Sequence, residues 1–391
     1  SCLDAAMMNL AEYRSKSACL ADYLPWVALV AEGAVLNKDG SFQRTACFRG
    51  PDLDSAVPSE LVGVAGRLNN VLRRLGSGWA LFVEAQRLPA IIYPEGRFPD
   101  AASALVDAER KAAFEEQGAH YESAYYLTFL YLPPAWESAG AERFLYGGRH
   151  RAAGTDAREI LAGFTDRTDR VLQLLDGFMP ESRWLDDAET LTYLHSCISS
   201  RRQRVRVPEV PMYLDGLLAD QPLTGGLEPK LGDCHLRVLT IAGFPGTTTP
   251  GVLDELNRLA FAYRWSTRAI MLDKTDATRL LTRIRRQWFA KRKSIAAILK
   301  EVMTNEASAL VDTDAHNKAI DADAALQELG SDAVGAAYCT VTVTVWDADP
   351  RVADERLRLV EKVIQGRDFT CIAERINAVD AWLGSLPGHA Y

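Results

Sequence analysis

The stretch "AYCTVTVTVWDADPRVADERLRLVEKVIQGRDFTCIAERI", residues 337–376, contains the pattern of a strand, a helix and a second strand. Valine and threonine alternate at its start, which places the valines on one face of a strand. Asp349 is the type of residue that caps the N-terminus of a helix, and Pro350 is typical of the first helical position. We expect the helix that begins there to run to about Gln365. "FTCIAERI" then predicts the second strand, so the stretch is a β-α-β unit.

A second unit of similar length precedes this one. "HLRVLTIAG" predicts a strand, Pro250–Tyr263 a helix and Trp265–Leu272 another strand. Two such units favour a split, ferredoxin-like arrangement of one lobe, which we place at 234–391. The helical pattern between the two units predicts a long insertion at about 276–334.

The first half of the chain shows a different order of helices and strands, which predicts an N-terminal α+β lobe at 8–200. Its predicted elements are a hairpin at 35–48, helices at 59–75, 100–117, 156–177 and 186–199, and strands at 79–88 and 123–134. Residues 201–233 are rich in Pro and Gly and read as a connector. The predicted fold class is therefore α+β, in two lobes.

Composition indicates a soluble globular protein: 391 residues with 48% hydrophobic and 25% charged residues and a net charge of −8. The net negative charge argues against wholesale coating of nucleic acid. Seven cysteines are scattered singly, which favours reduced thiols in a cytosolic compartment. Leu24–Leu36 is too short for a membrane span, which needs roughly 20 apolar residues, and no signal-peptide pattern precedes it. Any membrane contact is therefore expected to be peripheral.

Motifs that carry chemistry are missing from this sequence. It contains no G-x-x-x-x-G-K-[ST], no H-E-x-x-H and no G-x-S-x-G. "GFPGTTTPG", residues 243–251, precedes a predicted helix but lacks the lysine and the glycine spacing of a phosphate loop. The sequence therefore predicts no catalytic, cofactor-binding or metal-binding residue, and we expect this stretch of chain to be no enzyme in its own right.

The most unusual local composition is "RLLTRIRRQWFAKRKSIAAILK", residues 279–300, in which every charge is basic. On a helix its apolar side chains, with Trp288 among them, fall on one face. Five basic residues fall on the opposite face, and we call them the basic stripe: Arg279, Arg283, Arg286, Lys293 and Lys300.

Two interpretations of this segment stay open at the level of sequence. The next residues, 301–332, are strongly acidic, so the two arms could form a helical hairpin whose charges attract each other. Alternatively, the basic stripe with Trp288 is a docking surface for anionic lipid, an acidic partner or nucleic acid. Salt dependence separates nucleic acid from a protein partner, because phosphate contacts release counterions.

Several stretches together resemble a known family. "MNLAEYRSKSACLADYLPW", "NKDGSFQRTACFRGPDLDS", "LNNVLRRLGSGWALFVEAQR" and "AWLGSLPG" are similar, in this order, to the N-terminal half of the conjugal-transfer ATPases of the CagE/TrbE/VirB family in type IV secretion systems. The resemblance runs from Met8 to Tyr391. In that family a RecA-like motor with Walker A and Walker B motifs follows, so we expect the motor to lie beyond Tyr391.

The resemblance also implies a function for the parent protein. It would hydrolyse ATP with Mg²⁺ to power pilus assembly or substrate transfer, as a hexamer on the cytoplasmic face of the bacterial inner membrane. The N-terminal half would then bind no cofactor and would dock the motor onto inner-membrane subunits of the secretion system. The alternative is a module of the conjugation machinery that contacts nucleic acid. No catalytic residue of the family can be assigned to a position here.

Overall fold

The structure is a computed structural model that describes residues 19–52, 56–90, 93–116, 120–134, 157–210, 212–246, 248–291 and 313–390. Within these ranges, helices surround a large antiparallel sheet, which confirms the predicted α+β class. The twelve strands of the sheet are β1 (Trp26–Ala31), β2 (Ala34–Asn37), β3 (Phe42–Arg49), β4 (Trp79–Ala90), β5 (His120–Tyr131), β6 (Glu181–Trp184), β7 (Leu223–Thr224), β8 (Lys230–Leu231), β9 (Cys234–Gly243), β10 (Tyr263–Leu272), β11 (Ala336–Asp347) and β12 (Thr370–Glu374).

Helices connect the strands and cover both faces of the sheet. Those in the described ranges are α1 (Leu20–Tyr23), α2 (Pro58–Leu72), α3 (Ala101–Glu116), α4 (Ala157–Asp176), α5 (Asp187–Ile198), α6 (Leu214–Leu218), α7 (Lys274–Lys291), α8 (Thr313–Gly330), α9 (Pro350–Gln365) and α10 (Ala378–Gly384). α9 begins where the sequence predicts, because the Asp349 carboxylate accepts a hydrogen bond from the Arg351 amide at 2.8 Å.

The C-terminal strands follow the split arrangement. They lie in the order β12–β9–β11–β10, all antiparallel, so that each β-α-β unit has a strand of the other unit between its own two strands. The predicted helix Pro250–Tyr263 is wrong: only a 3₁₀ turn at Asp254–Arg258 forms. Bends and turns occupy the Gly-, Pro- and Thr-rich stretch before it, and β10 begins at Tyr263, which leaves little room for an α-helix.

The N-terminal strands repeat the same topology. In the sheet they lie in the order β6–β3–β5–β4, and all pairs are again antiparallel. Along the chain, α2 connects β3 to β4, and α4 lies between β5 and β6. β1 and β2 extend this unit beside β3. The described chain is therefore built from two copies of one split β-α-β topology, a repeat that the sequence does not show.

The two copies share a single sheet because their equivalent strands pair. β4 and β10, each the second strand of its copy, run antiparallel from Tyr263 opposite Arg87 to Ile270 opposite Ala80. An antiparallel pair of equivalent strands has an approximate two-fold axis between them. A single sheet therefore contains strands from both sides of the predicted connector, residues 201–233. The described part of this connector carries α6, β7 and β8. The predicted domain boundaries stay a prediction.

Each face of the sheet has its own core. Successive side chains of a strand point to opposite faces, so odd-numbered residues of β4 and β10 lie on one face and even-numbered residues on the other. Helices α2, α4 and α9 pack on the odd-numbered face, which we call the crossover face. Helices α5 and α10 pack on the even-numbered face, which we call the closing face.

The predicted helical insertion lies between β10 and β11. α7 and α8 form its described part and pack against each other, with Arg285 Nη1 of α7 2.7 Å from Asp323 Oδ1 of α8. The remainder of the insertion, 292–312, lies outside the described residues. Among the helices in the described ranges, none combines the length and apolarity that a membrane span requires.

Candidate functional site

Residues 382–389, which we call the closing segment, pack against the closing face and the start of the sheet. Trp382 and Leu386 are buried there. The buried Trp26 indole at the start of β1 donates a hydrogen bond from Nε1 to the Pro387 carbonyl oxygen at 2.7 Å. These contacts join residues more than 350 positions apart and hold the closing segment to the first strand.

The closing segment folds this way because of its local sequence. α10 buries Ala378 and Trp382, four residues apart on one face, and ends at Gly384. Pro387 cannot continue a helix. Gly388 has a φ of +107°, and a Cβ there would lie 2.7 Å from Pro25 Cγ and 2.8 Å from Gln43 Oε1. Only glycine fits this turn, so the Gly-Ser-Leu-Pro-Gly run is a tight contact between chain segments.

The partner of Gly388 is the hairpin that follows β2. Asn37 donates from Nδ2 to Ser41 Oγ at 3.0 Å and to Gln43 Oε1 at 3.2 Å, and Asp39 accepts from the Ser41 amide at 2.9 Å. This hairpin contains the start of "NKDGSFQRTACF". Two of the stretches that carry the family resemblance, at opposite ends of the chain, therefore pack against each other.

A buried ion pair lies at the centre of the sheet, between the two copies of the topology. Arg264 of β10 donates from Nε and Nη2 to the two carboxylate oxygens of Glu84 of β4, each at 2.6 Å. Their exposed fractions are 2% and 0%. Arg264 also donates to Ser385, to Oγ at 2.7 Å and to the carbonyl oxygen at 2.8 Å. One guanidinium thus links both copies to the closing segment.

The surroundings of the ion pair keep the neighbouring groups uncharged. Burial, with the Glu84 carboxylate nearby, raises the pKa of the Cys197 thiol and of the Tyr193 phenol well above their ordinary values. The Tyr193 hydroxyl donates to the Glu84 carboxylate at 3.1 Å, and Gln86 Nε2 donates to the same carboxylate at 2.6 Å. Burial opposes the charge of Arg264, but the adjacent carboxylate raises its pKa.

This constellation is a structural junction and is poorly placed for catalysis. A protonated thiol is a weak nucleophile, and a carboxylate that is fully enclosed by donors does not reach a substrate. A bidentate arginine–carboxylate pair instead fixes distance and orientation. The junction therefore sets the register of β4 against β10 and the position of Ser385.

The basic stripe is placed on α7. Arg279, Arg283 and Arg286 are exposed on one side of this helix. Arg279 forms a local ion pair with Asp276 at 2.6 Å, whereas no carboxylate of the described chain pairs with Arg283 or Arg286. All three arginines line a surface depression of about 560 Å³. Of the other predicted docking residues, Lys293 and Lys300 lie outside the described residues, and Trp288 is described as part of the α7 backbone only.

Acidic residues of segment 301–332 form ion pairs with basic residues that lie beside the basic stripe. Asp323 of α8 binds Arg285, and Asp332 lies 2.7 Å from Lys274 Nζ. In the described part of the insertion, these ion pairs leave Arg283 and Arg286 facing solvent. The docking role of the stripe stays a prediction.

Comparison with known proteins identifies the family. Residues 33–139 match the family model of the type IV secretion system ATPase VirB4/TrbE, N-terminal domain. A probable conjugal transfer protein TrbE of Sinorhizobium fredii is divided into two pieces, and the chain is 39% identical over 146 residues to the first of them. That alignment covers 98% of the Sinorhizobium piece and 37% of this chain. The chain belongs to the VirB4/TrbE family.

Another relative shows how much of a TrbE protein is represented. The conjugal transfer protein TrbE of Rhizobium radiobacter is 31% identical over 401 residues, an alignment that includes 98% of this chain and 48% of that protein. The chain therefore spans about half the length of this TrbE relative. Its membership of a type IV secretion ATPase family confirms the family predicted from the sequence.

The junction is the feature that sequence reasoning missed. Glu84 and Arg264 are 180 residues apart, and neither lies in a catalytic or ligand-binding motif. The sequence offers only an indirect signal: Glu84 and Arg264 each lie on the strand face opposite to the large apolar residues Leu81 and Trp265, among other polar side chains. By contrast, the stripe on α7 and the unusual closing segment were visible as local patterns.

Proposed function

We propose that this chain is the non-catalytic N-terminal docking and scaffold region of a TrbE-type ATPase, which energises conjugative DNA transfer and pilus assembly. It would anchor the motor to inner-membrane subunits of a type IV secretion system, on the cytoplasmic face of that membrane. The support is its VirB4/TrbE family membership, its match to about half of a TrbE protein, and the absence of a Gly-Lys phosphate loop from its sequence.

The observation that carries the scaffold role is the fixed closing segment. Arg264 binds Ser385 through two hydrogen bonds, and Trp26 binds the Pro387 carbonyl oxygen. In a longer TrbE protein, the chain after this segment would start from a point held by both copies of the topology. A motor that binds ATP and Mg²⁺ and assembles as a hexamer could then transmit force to a docked partner through a rigid body.

The docking role rests on the exposed stripe of α7. A lone exposed ion pair contributes only about 0–1 kcal/mol to stability, so Arg283 and Arg286 have little value for folding. Near an anionic membrane surface, each basic residue contributes about 1 kcal/mol to binding. The stripe is therefore suited to anionic lipid head groups or to an acidic segment of an inner-membrane subunit.

Charge reversal tests this role. We expect Arg283→Glu with Arg286→Glu to fold normally and to lose at least about 30-fold in binding, because about 1 kcal/mol per removed charge corresponds to that factor for two residues. Binding is measured by co-sedimentation with phosphatidylserine vesicles and by pull-down of separately expressed inner-membrane subunits. The matched control is Arg351→Glu with Arg358→Glu, which makes the same charge change on exposed positions of α9. Equal binding by both variants would contradict the docking role.

The second candidate is contact with nucleic acid, favoured by the same unpaired arginines. Phosphate contacts make the logarithm of affinity fall with the logarithm of salt concentration, with a slope of about −0.9 per phosphate on duplex DNA. Arg283 and Arg286 would therefore give a slope of about −2. A fluorescence anisotropy titration of labelled duplex DNA at several salt concentrations decides between this steep dependence and no measurable binding.

A further inference from the structure

A groove crosses the middle of the crossover face, between the helices of the two copies. Its floor is a row of side chains that the strand register places side by side, one from each of four neighbouring strands: Phe48 of β3, Tyr125 of β5, Ala85 of β4 and Trp265 of β10. These residues line a cavity of about 720 Å³, and all four are partly exposed. We call this cavity the central groove.

The floor of the groove has a gap at Ala85. Ala85 is small, and the strands of Tyr125 and Trp265 are its two neighbours, so the backbones that carry these aromatic residues are about 9.6 Å apart, two strand spacings. The Trp265 indole is held by a 3.0 Å hydrogen bond from Nε1 to Thr267 Oγ1. The cavity of about 720 Å³ that Ala85, Tyr125 and Trp265 line therefore has room for a flat apolar group.

A buried cation lies beside this gap. Arg87 follows Ala85 by two residues on the same face of β4, about 6.8 Å away along the strand. It is only 8% exposed, and it lines an adjoining cavity of about 660 Å³ together with Ser123 and Tyr125. Its Nε donates to the Leu259 carbonyl oxygen at 2.6 Å and its Nη1 to Ser123 Oγ at 3.4 Å.

The guanidinium of Arg87 has no counter-ion among the residues that the structure describes. No carboxylate within the described ranges forms an ion pair with it, and its Nη2 has no hydrogen-bond partner there. Burying a charge is costly unless the charge is paired, so an unpaired buried arginine that faces a cavity is suited to bind an oxyanion. The ring of Tyr121, 5.6 Å from the guanidinium carbon, compensates for only part of this cost.

The charges around the groove narrow the class of ligand. Four acidic residues line the two cavities and outnumber their two arginines, Arg49 and Arg87; the acids are Asp52, Glu122, Glu181 and Asp254. A polyanion such as nucleic acid would be repelled there. A single carboxylate can instead bind arginine through two parallel hydrogen bonds.

We propose that the central groove binds a peptide segment of a partner protein in which an aromatic side chain lies next to a carboxylate. The aromatic ring lies over Ala85, between Tyr125 and Trp265, and the carboxylate binds Arg87. This surface is separate from the basic stripe, so the proposal goes beyond the docking role of α7 and gives the chemistry of a second contact.

The test uses two probes that differ only in the carboxylate: N-acetyltryptophan and N-acetyltryptophanamide. The full chain is labelled with 5-fluorotryptophan, and the Trp265 resonance is assigned with Trp265→Phe. We expect N-acetyltryptophan to shift this resonance to saturation and the amide to bind at least about tenfold more weakly. Equal affinities would overturn the proposal, and so would tighter binding of adenosine monophosphate or inorganic phosphate than of N-acetyltryptophan.

A pair of variants locates the bound probe. Ala85→Leu fills the gap and leaves Arg87 unchanged, so binding of N-acetyltryptophan should be lost. Val83→Leu adds volume at the next exposed position of the same strand face, outside the groove, and should bind normally. Unchanged binding by Ala85→Leu would contradict the proposed position. If that variant fails to fold, as judged by circular dichroism, the comparison of acid and amide on the unmodified chain still decides.

Discussion

Removing the arginine of the central ion pair should destabilise the protein strongly. In Arg264→Met the Glu84 carboxylate stays fully buried without its cation, a situation that costs about 3–5 kcal/mol. The two hydrogen bonds to Ser385 are lost as well, at about 1 kcal/mol each, while Gln86 and Tyr193 still donate to the carboxylate and recover part of the loss. We therefore expect a decrease of about 4 kcal/mol in the free energy of unfolding.

The double variant Glu84→Met with Arg264→Met separates pairing from packing. Replacement of a buried ion pair by apolar side chains of similar volume is often neutral, so the double variant should recover to within about 1–2 kcal/mol of the original protein. Urea unfolding followed by tryptophan fluorescence gives each free energy, and the cycle gives a coupling of at least about 2 kcal/mol.

An exposed pair with the same geometry is the control. Arg183 binds Glu189 through two hydrogen bonds of 2.7 and 2.9 Å, but the arginine side chain is 52% exposed. Arg183→Met should cost less than about 1 kcal/mol. Two results would refute this reasoning. Arg264→Met could lower the free energy of unfolding no more than Arg183→Met does, or the separate effects of Glu84→Met and Arg264→Met could simply add in the double variant. In either case, the buried pair is not what holds the two copies together.

Two further predictions concern the closing segment. Gly388→Ala should lower the free energy of unfolding by about 2 kcal/mol or more, because position 388 has a positive φ and a Cβ there makes close contacts. The urea midpoint measures this loss. The control is Gly163→Ala, in a helix with open space around the position, which should be neutral or stabilising. Burial lowers the pKa of His389 from its ordinary 6.5, so the neutral ring is favoured in the folded state and the closing segment loses stability as the pH falls below 6.5. The protection of residues 385–390 against hydrogen exchange, relative to the intrinsic exchange rate at each pH, should therefore decrease from about pH 7.5 to 5.5 in the original chain but not in His389→Gln. Identical protection profiles would contradict this assignment.

Local patterns in the sequence predict most of the elements well. α9 begins at Pro350 and ends at Gln365 as its cap and its apolar spacing indicate, and the alternating strand at 337–347 forms β11. The helix expected at 186–199 forms as α5, because the Asp186 carboxylate accepts from the Glu189 amide at 2.8 Å. In each case the information lies within a few residues of the element that it determines.

What the sequence does not reveal is set by distant contacts. β6 is only four residues long and is placed by its pairing with β3, about 135 positions earlier. No local pattern in the sequence therefore predicts the first copy of the split topology. The helix expected at 250–263 was over-predicted because its apolar spacing cannot show where β10 begins. The central ion pair depends on the β4–β10 register, which no local pattern encodes.

The pairing of β4 with β10 has a consequence for how the two copies recognise each other. Pairing of equivalent strands about a two-fold axis is typical of the interface of a homodimer. Here the same arrangement forms between two copies of one topology within a single polypeptide. Joining the partners in one chain makes their encounter independent of protein concentration. Glu84 comes from one copy and Arg264 from the other, so β4 pairing with the β4 of a second molecule would bury a carboxylate without its cation. The charge asymmetry thus selects the partner inside the chain over the identical strand outside it.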